Sequence, residues 1–123
     1  MKQPKLHSLS VADLVDLFAT IAMEEDKAEK VDDQAKRNRL AYELDAVQAE
    51  LKSRPGDQRR ALLPLYDHPN MQARLMAAKY TLTVAPAQAR RMIEWIAASS
   101  SFPYAGDAGM CLWALNKGVF KPE

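Results

Sequence analysis

The chain is 123 residues long and 48% apolar, with 17 basic against 16 acidic residues and a formal charge of +1. That length supplies one ordinary core rather than two, and the near-zero charge excludes a global field that would draw in DNA or an anionic membrane. The lone Cys111 forms no internal disulfide, no apolar run approaches the ~20 residues that span a bilayer, and Met1-Lys2-Gln3-Pro4-Lys5 precedes no continuous apolar signal segment. A cytoplasmic protein with a single domain over 1–123 and a flexible tail over 1–8 is expected.

Ser10 followed three positions later by Asp13, with Leu9 able to pack on Leu14, predicts the start of a first helix. Val11, Leu14, Val15, Phe18, Ile21 and Ala22 recur at helical spacing as one apolar stripe. The charged stretch 24–30 either prolongs that helix in solvent or forms its frayed end. Asp32 or Asp33 caps a second helix with the seam Leu40, Leu44, Val47 and Leu51, stopped by Pro55-Gly56. Asp57 caps a short third helix that carries Leu62, Leu65 and Tyr66 inward, and Pro64, by removing the bond to the carbonyl of Arg60, predicts a bend in it. The turn Asp67-His68-Pro69-Asn70 leads into a fourth helix capped by Asn70 and running through Leu75, Ala78 and Leu82 to about Val84. A fifth runs from near Pro86 to Ala98, and a sixth from Tyr104 or Asp107 to Asn116, closed by Gly118. No alternating β-branched run supports a strand.

A shift of 31 residues places Arg59-Arg60 on Arg90-Arg91, Leu62 on Ile93 and Leu65 on Ile96; a shift of 33 places Ala78 on Cys111, Tyr80 on Trp113 and Leu82 on Leu115. Loose self-similarity at this period marks an α-solenoid built of helical hairpins. The run Leu62-Leu63-Pro64, then Asp67, Pro69, Arg74 and Ala77-Ala78, resembles the HEAT-repeat signature, in which a proline bends the first helix and an aspartate and an arginine flank the turn. The unit from Ala87 to Leu115 is similar in outline only, with Asp107 where Arg74 would stand. The whole chain looks like a small bacterial HEAT/armadillo-like domain of unknown function, some relatives of which are suspected immunity proteins to secreted toxins. The fold this implies is all-α: a right-handed α-solenoid of about six helices in three antiparallel pairs, the second helix of each lining a shallow concave face.

Candidates for chemistry read as structural. His68 sits in a turn and His7 near the amino terminus, neither with partners at ligand spacing. Cys111, between Met110 and Leu112-Trp113, reads as a small buried hydrophobe. The acidic group Glu24, Glu25, Asp26, Glu29, Asp32 and Asp33 lacks a calcium-loop pattern and reads as a solvated helix end with intrahelical ion pairs. Trp95 and Trp113 lie among Ile, Leu and Met, so both read as core, with one of them open to serve a partner. Arg74 and Asp67, by resemblance to the repeat pattern, stabilise the turn.

The expectation is therefore a non-catalytic protein-interaction module, without metal or cofactor, that exists as a monomer or weak homo-oligomer and binds another protein, a toxin to be neutralised among them. Arg39, Glu43, Gln72 and Lys79 on the second helices, together with Arg59, Arg60, Arg90 and Arg91, are the candidate partner-binding residues. The alternative is a nucleic-acid-associated helical-repeat protein that binds phosphate through the arginine pairs, a reading weakened by the charge balance and by the lack of an aromatic stacking platform.

Overall fold

The computed structural model describes residues 5–123, which hold five α-helices, two 3-10 segments and no strand. The chain divides into two compact units, one closing at Ala61 and the other running Leu62–Glu123.

In the first unit Ser10 Oγ accepts the N–H of Asp13 at 3.0 Å and opens α1, Val11–Lys30. The charged stretch prolongs the helix, because ion pairs one turn apart support it: Lys27 lies 3.3 Å from Glu24 and Lys30 3.2 Å from Asp26. Asp32 takes a left-handed φ of 53° to reverse the chain, and Asp33 caps α2, Gln34–Ser53, its Oδ1 accepting the N–H of Lys36 at 3.1 Å. The two helices pack on each other, with Arg37 bridging to Glu29 at 2.8 Å. Leu14, Phe18, Ile21 and Ala22 are buried on α1, and the whole predicted seam Leu40, Leu44, Val47 and Leu51 is buried on α2; each such leucine contributes about 1.5–3 kcal/mol by leaving water. Of the tail expected over 1–8, residues 1–4 lie outside the described residues. Leu6–Ser8 forms a 3-10 turn, and Arg54 at the end of α2 donates from Nη2 to the carbonyls of Leu6 and Leu9, at 3.2 and 2.7 Å.

The bent third α-helix is replaced by a 3-10 run, Gln58–Asp67, with Pro64 inside it. Three residues per turn put Arg59, Leu62 and Leu65 on one edge, and all three are buried. Arg59 therefore lies on a buried edge of the run, not an exposed one.

In the second unit Asn70 Oδ1 accepts the N–H of Ala73 at 3.1 Å and caps α3, Met71–Tyr80. This helix stops four residues short of Val84, because Thr81 turns its hydroxyl back onto the carbonyls of Ala77 and Ala78. α4, Pro86–Ala98, begins on its proline as the sequence predicts, and α5, Tyr104–Asn116, takes the earlier of the two predicted starts. Gly118, at φ 72°, ends α5: its N–H reaches the carbonyl of Leu115, and the N–H of Val119 that of Ala114. α4 packs against both α3 and α5 around Leu75, Ala78, Leu82, Ala89, Ile93 and Ile96, with Ala108 and Cys111 from α5.

Candidate functional site

The four arginines read as two equivalent pairs have different fates. Arg59 is 5% exposed and closed onto Asp57, with Nε 2.9 Å from Oδ1 and Nη2 2.7 Å from Oδ2. That hydrogen bonding holds the Asp57 carboxyl below its usual range. Arg59 is thus a buried local brace rather than the surface fork the sequence suggests. Arg60 beside it is exposed. Arg90 is half-buried, donating to Asn116 Oδ1 at 2.7 Å and lying 3.4 Å from Glu94. Arg91 is exposed and, among the described residues, has no intramolecular hydrogen bond or ion pair. Arg59 and Arg60 belong to the first unit, Arg90 and Arg91 to the second.

The other candidates are scattered. Arg39 and Glu43 face each other at 3.8 Å, one turn apart on α2. Gln72 is half-buried at the start of α3, and Lys79 at its end reaches Asp107 of α5 at 2.8 Å. The last contact is a helix-to-helix tie within the second unit.

Both tryptophans correct the expectation of core packing: Trp95 is 52% and Trp113 51% exposed. The buried stripe of α4 is Ala89, Ile93 and Ile96, and the 3.6-residue period turns Trp95 roughly 120° away from it, onto the exposed flank of the helix, with Arg91 one turn before it. The Cζ of Arg74 sits 5.6 Å from the Trp95 ring centroid, a cation–π contact between α3 and α4. Nε of the same arginine donates to the carbonyl of His68, as the turn-stabilising role of Arg74 requires. The α4 face thus presents an indole bordered by two guanidinium groups, of which, among the described residues, only Arg74 is engaged. Sequence spacing alone held the clue, since Arg91 and Trp95 stand four apart, but the third member comes from another helix.

His68 Nδ1 accepts the backbone N–H of Asn70 at 2.9 Å, in the local turn role read from the sequence. Cys111 is buried, and burial raises its thiol pKa. Among the described residues no three His, Cys, Asp or Glu side chains converge to hold a metal ion, and no helix is long and apolar enough to cross a membrane. An open hollow of about 380 Å³ in the second unit is lined by Leu82, Thr83, Pro86, Leu115 and Pro122, with Arg90 as its one charged wall.

A protein-family model described as a domain of unknown function (DUF2019) matches residues 12–116. No curated protein matches the chain. The crystal structure of the protein RPA1889 from Rhodopseudomonas palustris CGA009 is similar along nearly the whole length: 50% identity, 98% of this chain and 100% of that one covered, TM-score 0.94.

Proposed function

The chain belongs to this family of unknown function, and we propose that it is a non-catalytic protein-interaction module whose partner docks on the outer face of α4. The observation that carries this reading is Trp95, half exposed between the unpaired Arg91 and the stacked Arg74. Tryptophan and arginine dominate binding energy where an aromatic anchor is ringed by groups that exclude water. Two guanidinium groups beside the anchor select a partner with carboxylates around an apolar side chain. An acidic toxin neutralised by an immunity-type protein in the cytoplasm is one partner of that chemistry, and no cofactor enters the interaction. The HEAT-like frame proposed for residues 62–78 rests on Pro64, the Asn70 cap and the Arg74-to-turn bond. Phosphate binding has less support, because Arg59 is closed by Asp57 and Arg90 is engaged by Asn116 and Glu94.

A photo-crosslinking residue placed at Trp95, and separately at the exposed Ala46 of α2 as a control, tests the reading in cells that make the protein. One discrete adduct from position 95, absent from position 46 and lost on Arg91→Glu, is expected. Identical patterns from the two positions, or nucleic acid as the adduct, overturn it.

A further inference from the structure

Beyond the α4 face, we infer that the outer side of α5 is an interface between two copies of this chain, packed with their α5 helices antiparallel. Ala105, Ala108 and Cys111 turn inward on α5, and the opposite side carries Gly106, Met110 and Trp113, extended by Lys117 just past the last turn. Met110 is 64% exposed, Trp113 51%, and Phe102 just before the helix 72%. An outward helix face with no charge along its middle is an unusual surface to leave in water.

The occupant follows from the order of residues along that face. Steps of four, three and four separate Gly106, Met110, Trp113 and Lys117, the spacing of a helix–helix seam. Turning a second α5 end for end about the midpoint of this seam sets Met110 against Trp113 of the other copy, and Trp113 against its Met110. A thioether meeting an indole is a favourable contact, made twice by the symmetry. Gly106 then meets Lys117 of the other copy, and the flanking Gly109 faces the side of the other copy that carries Asn116. The missing side chain at Gly106 leaves room for the lysine to run toward Asp107, whose Oδ1 already holds Lys79 and which stays half exposed. The side chain of Lys117 has no intramolecular partner among the described residues. The antiparallel arrangement also brings the positive end of each helix dipole beside the negative end of the other. Charge and shape are therefore complementary between the face and its own copy.

Nothing inside the chain requires the two glycines. A Cβ at Gly109 meets nothing within 4 Å, and one at Gly106 meets only the Phe102 ring at an ordinary 3.8 Å. A helix interior disfavours glycine relative to alanine, so their presence is explained by a backbone approaching from outside. One helix per copy makes a small interface, about 1,000 Å² in total, which implies a weak and reversible dimer.

Sedimentation equilibrium of the full chain over roughly two decades of concentration tests this. A monomer–dimer equilibrium is expected, abolished by Met110→Glu. Gly109→Ala separates interface from folding: it should raise the thermal midpoint of the dilute monomer, yet weaken dimerisation roughly tenfold or more. In a Cys111→Ala background, Met110→Cys and Trp113→Cys chains should form a mixed disulfide faster than either chain alone. A monomer at every concentration overturns the inference and leaves the face to a different protein, as does a dimer indifferent to both Met110→Glu and Gly109→Ala. Trp95 variants leave the dimer unchanged, so failure here is distinguishable from failure of the α4 reading.

Discussion

Arg59 folds its guanidinium back onto the carboxylate of Asp57 two residues earlier, and does so from a buried position. Asp57 itself holds a left-handed φ of 51° right after Gly56. Asparagine tolerates that backbone, so Asp57→Asn removes the charge while sparing the turn, and takes the carboxylate away from a buried guanidinium. The expected loss is about 2 kcal/mol, read as a lower urea midpoint. The pH dependence has a definite sign. Because hydrogen bonding from Arg59 lowers the folded carboxyl's pKa, the pair's stabilisation is full above the ordinary value of 3.8 and lost as pH falls below it. Asp57→Asn should flatten that acid limb.

The Thr81 hydroxyl is fully buried and lies 2.5 Å from the hydroxyl of Tyr66. It has one proton, directed to the carbonyl of Ala77 at 2.8 Å, so Tyr66 donates to it. Thr81→Val keeps the shape and removes both bonds, with an expected cost of about 1–2 kcal/mol. Tyr66→Phe should cost less, and a double-mutant cycle by chemical denaturation should return a non-zero coupling between the two positions.

Those two contacts mark where sequence reading stops. The caps at Ser10, Asp33 and Asn70, the first-turn Pro86 and the closing Gly118 were legible because each acts on backbone groups within a turn of itself. The end of α3 is not legible: Thr81 also acts on carbonyls within a turn, but a threonine carries no stop signal of its own, and its link to Tyr66 spans fifteen residues. The apolar spacing after Asp57 suggests a bent α-helix because over so short a stretch it fits a period of 3.0 nearly as well as 3.6. That small change of period decides whether Arg59 faces water. At the candidate site Arg91 and Trp95 share a local register, whereas Arg74 joins them only through packing between helices. The exposure of Trp95 and Trp113 was equally hidden: aromatic residues on apolar helices are usually core, and one step of 100° reverses that.

Arg54 ties the amino-terminal turn to the end of α2 through the carbonyls of Leu6 and Leu9, while its Nε lies 2.7 Å from Glu50. Arg54→Ala removes all three contacts. A loss of about 1–2 kcal/mol is expected, together with faster hydrogen exchange and proteolysis over residues 5–9. The helical content of α1 should be unchanged by circular dichroism, because its start is fixed by Ser10 rather than by Arg54.

Cys111 packs in the core of the second unit with Ile93, Ile96 and Ala108. Burial raises its thiol pKa above the ordinary 9.0, Asp107 adds to the effect and Lys79 opposes it. The thiol stays protonated and enclosed, so at pH 8 iodoacetamide should modify the native chain far more slowly than the chain in urea. The sign of the pH effect is opposite to that of Asp57. Above 9.0 the unfolded chain releases the proton while the folded chain retains it, so the contribution of Cys111 to stability is full below 9.0 and declines as pH rises through the folded value. Cys111→Ala should remove that alkaline slope while lowering stability near neutrality by about 1 kcal/mol for the small cavity it leaves. Urea denaturation of both proteins at neutral and alkaline pH measures the difference, and equal slopes would mean that the thiol is open to solvent in the folded chain.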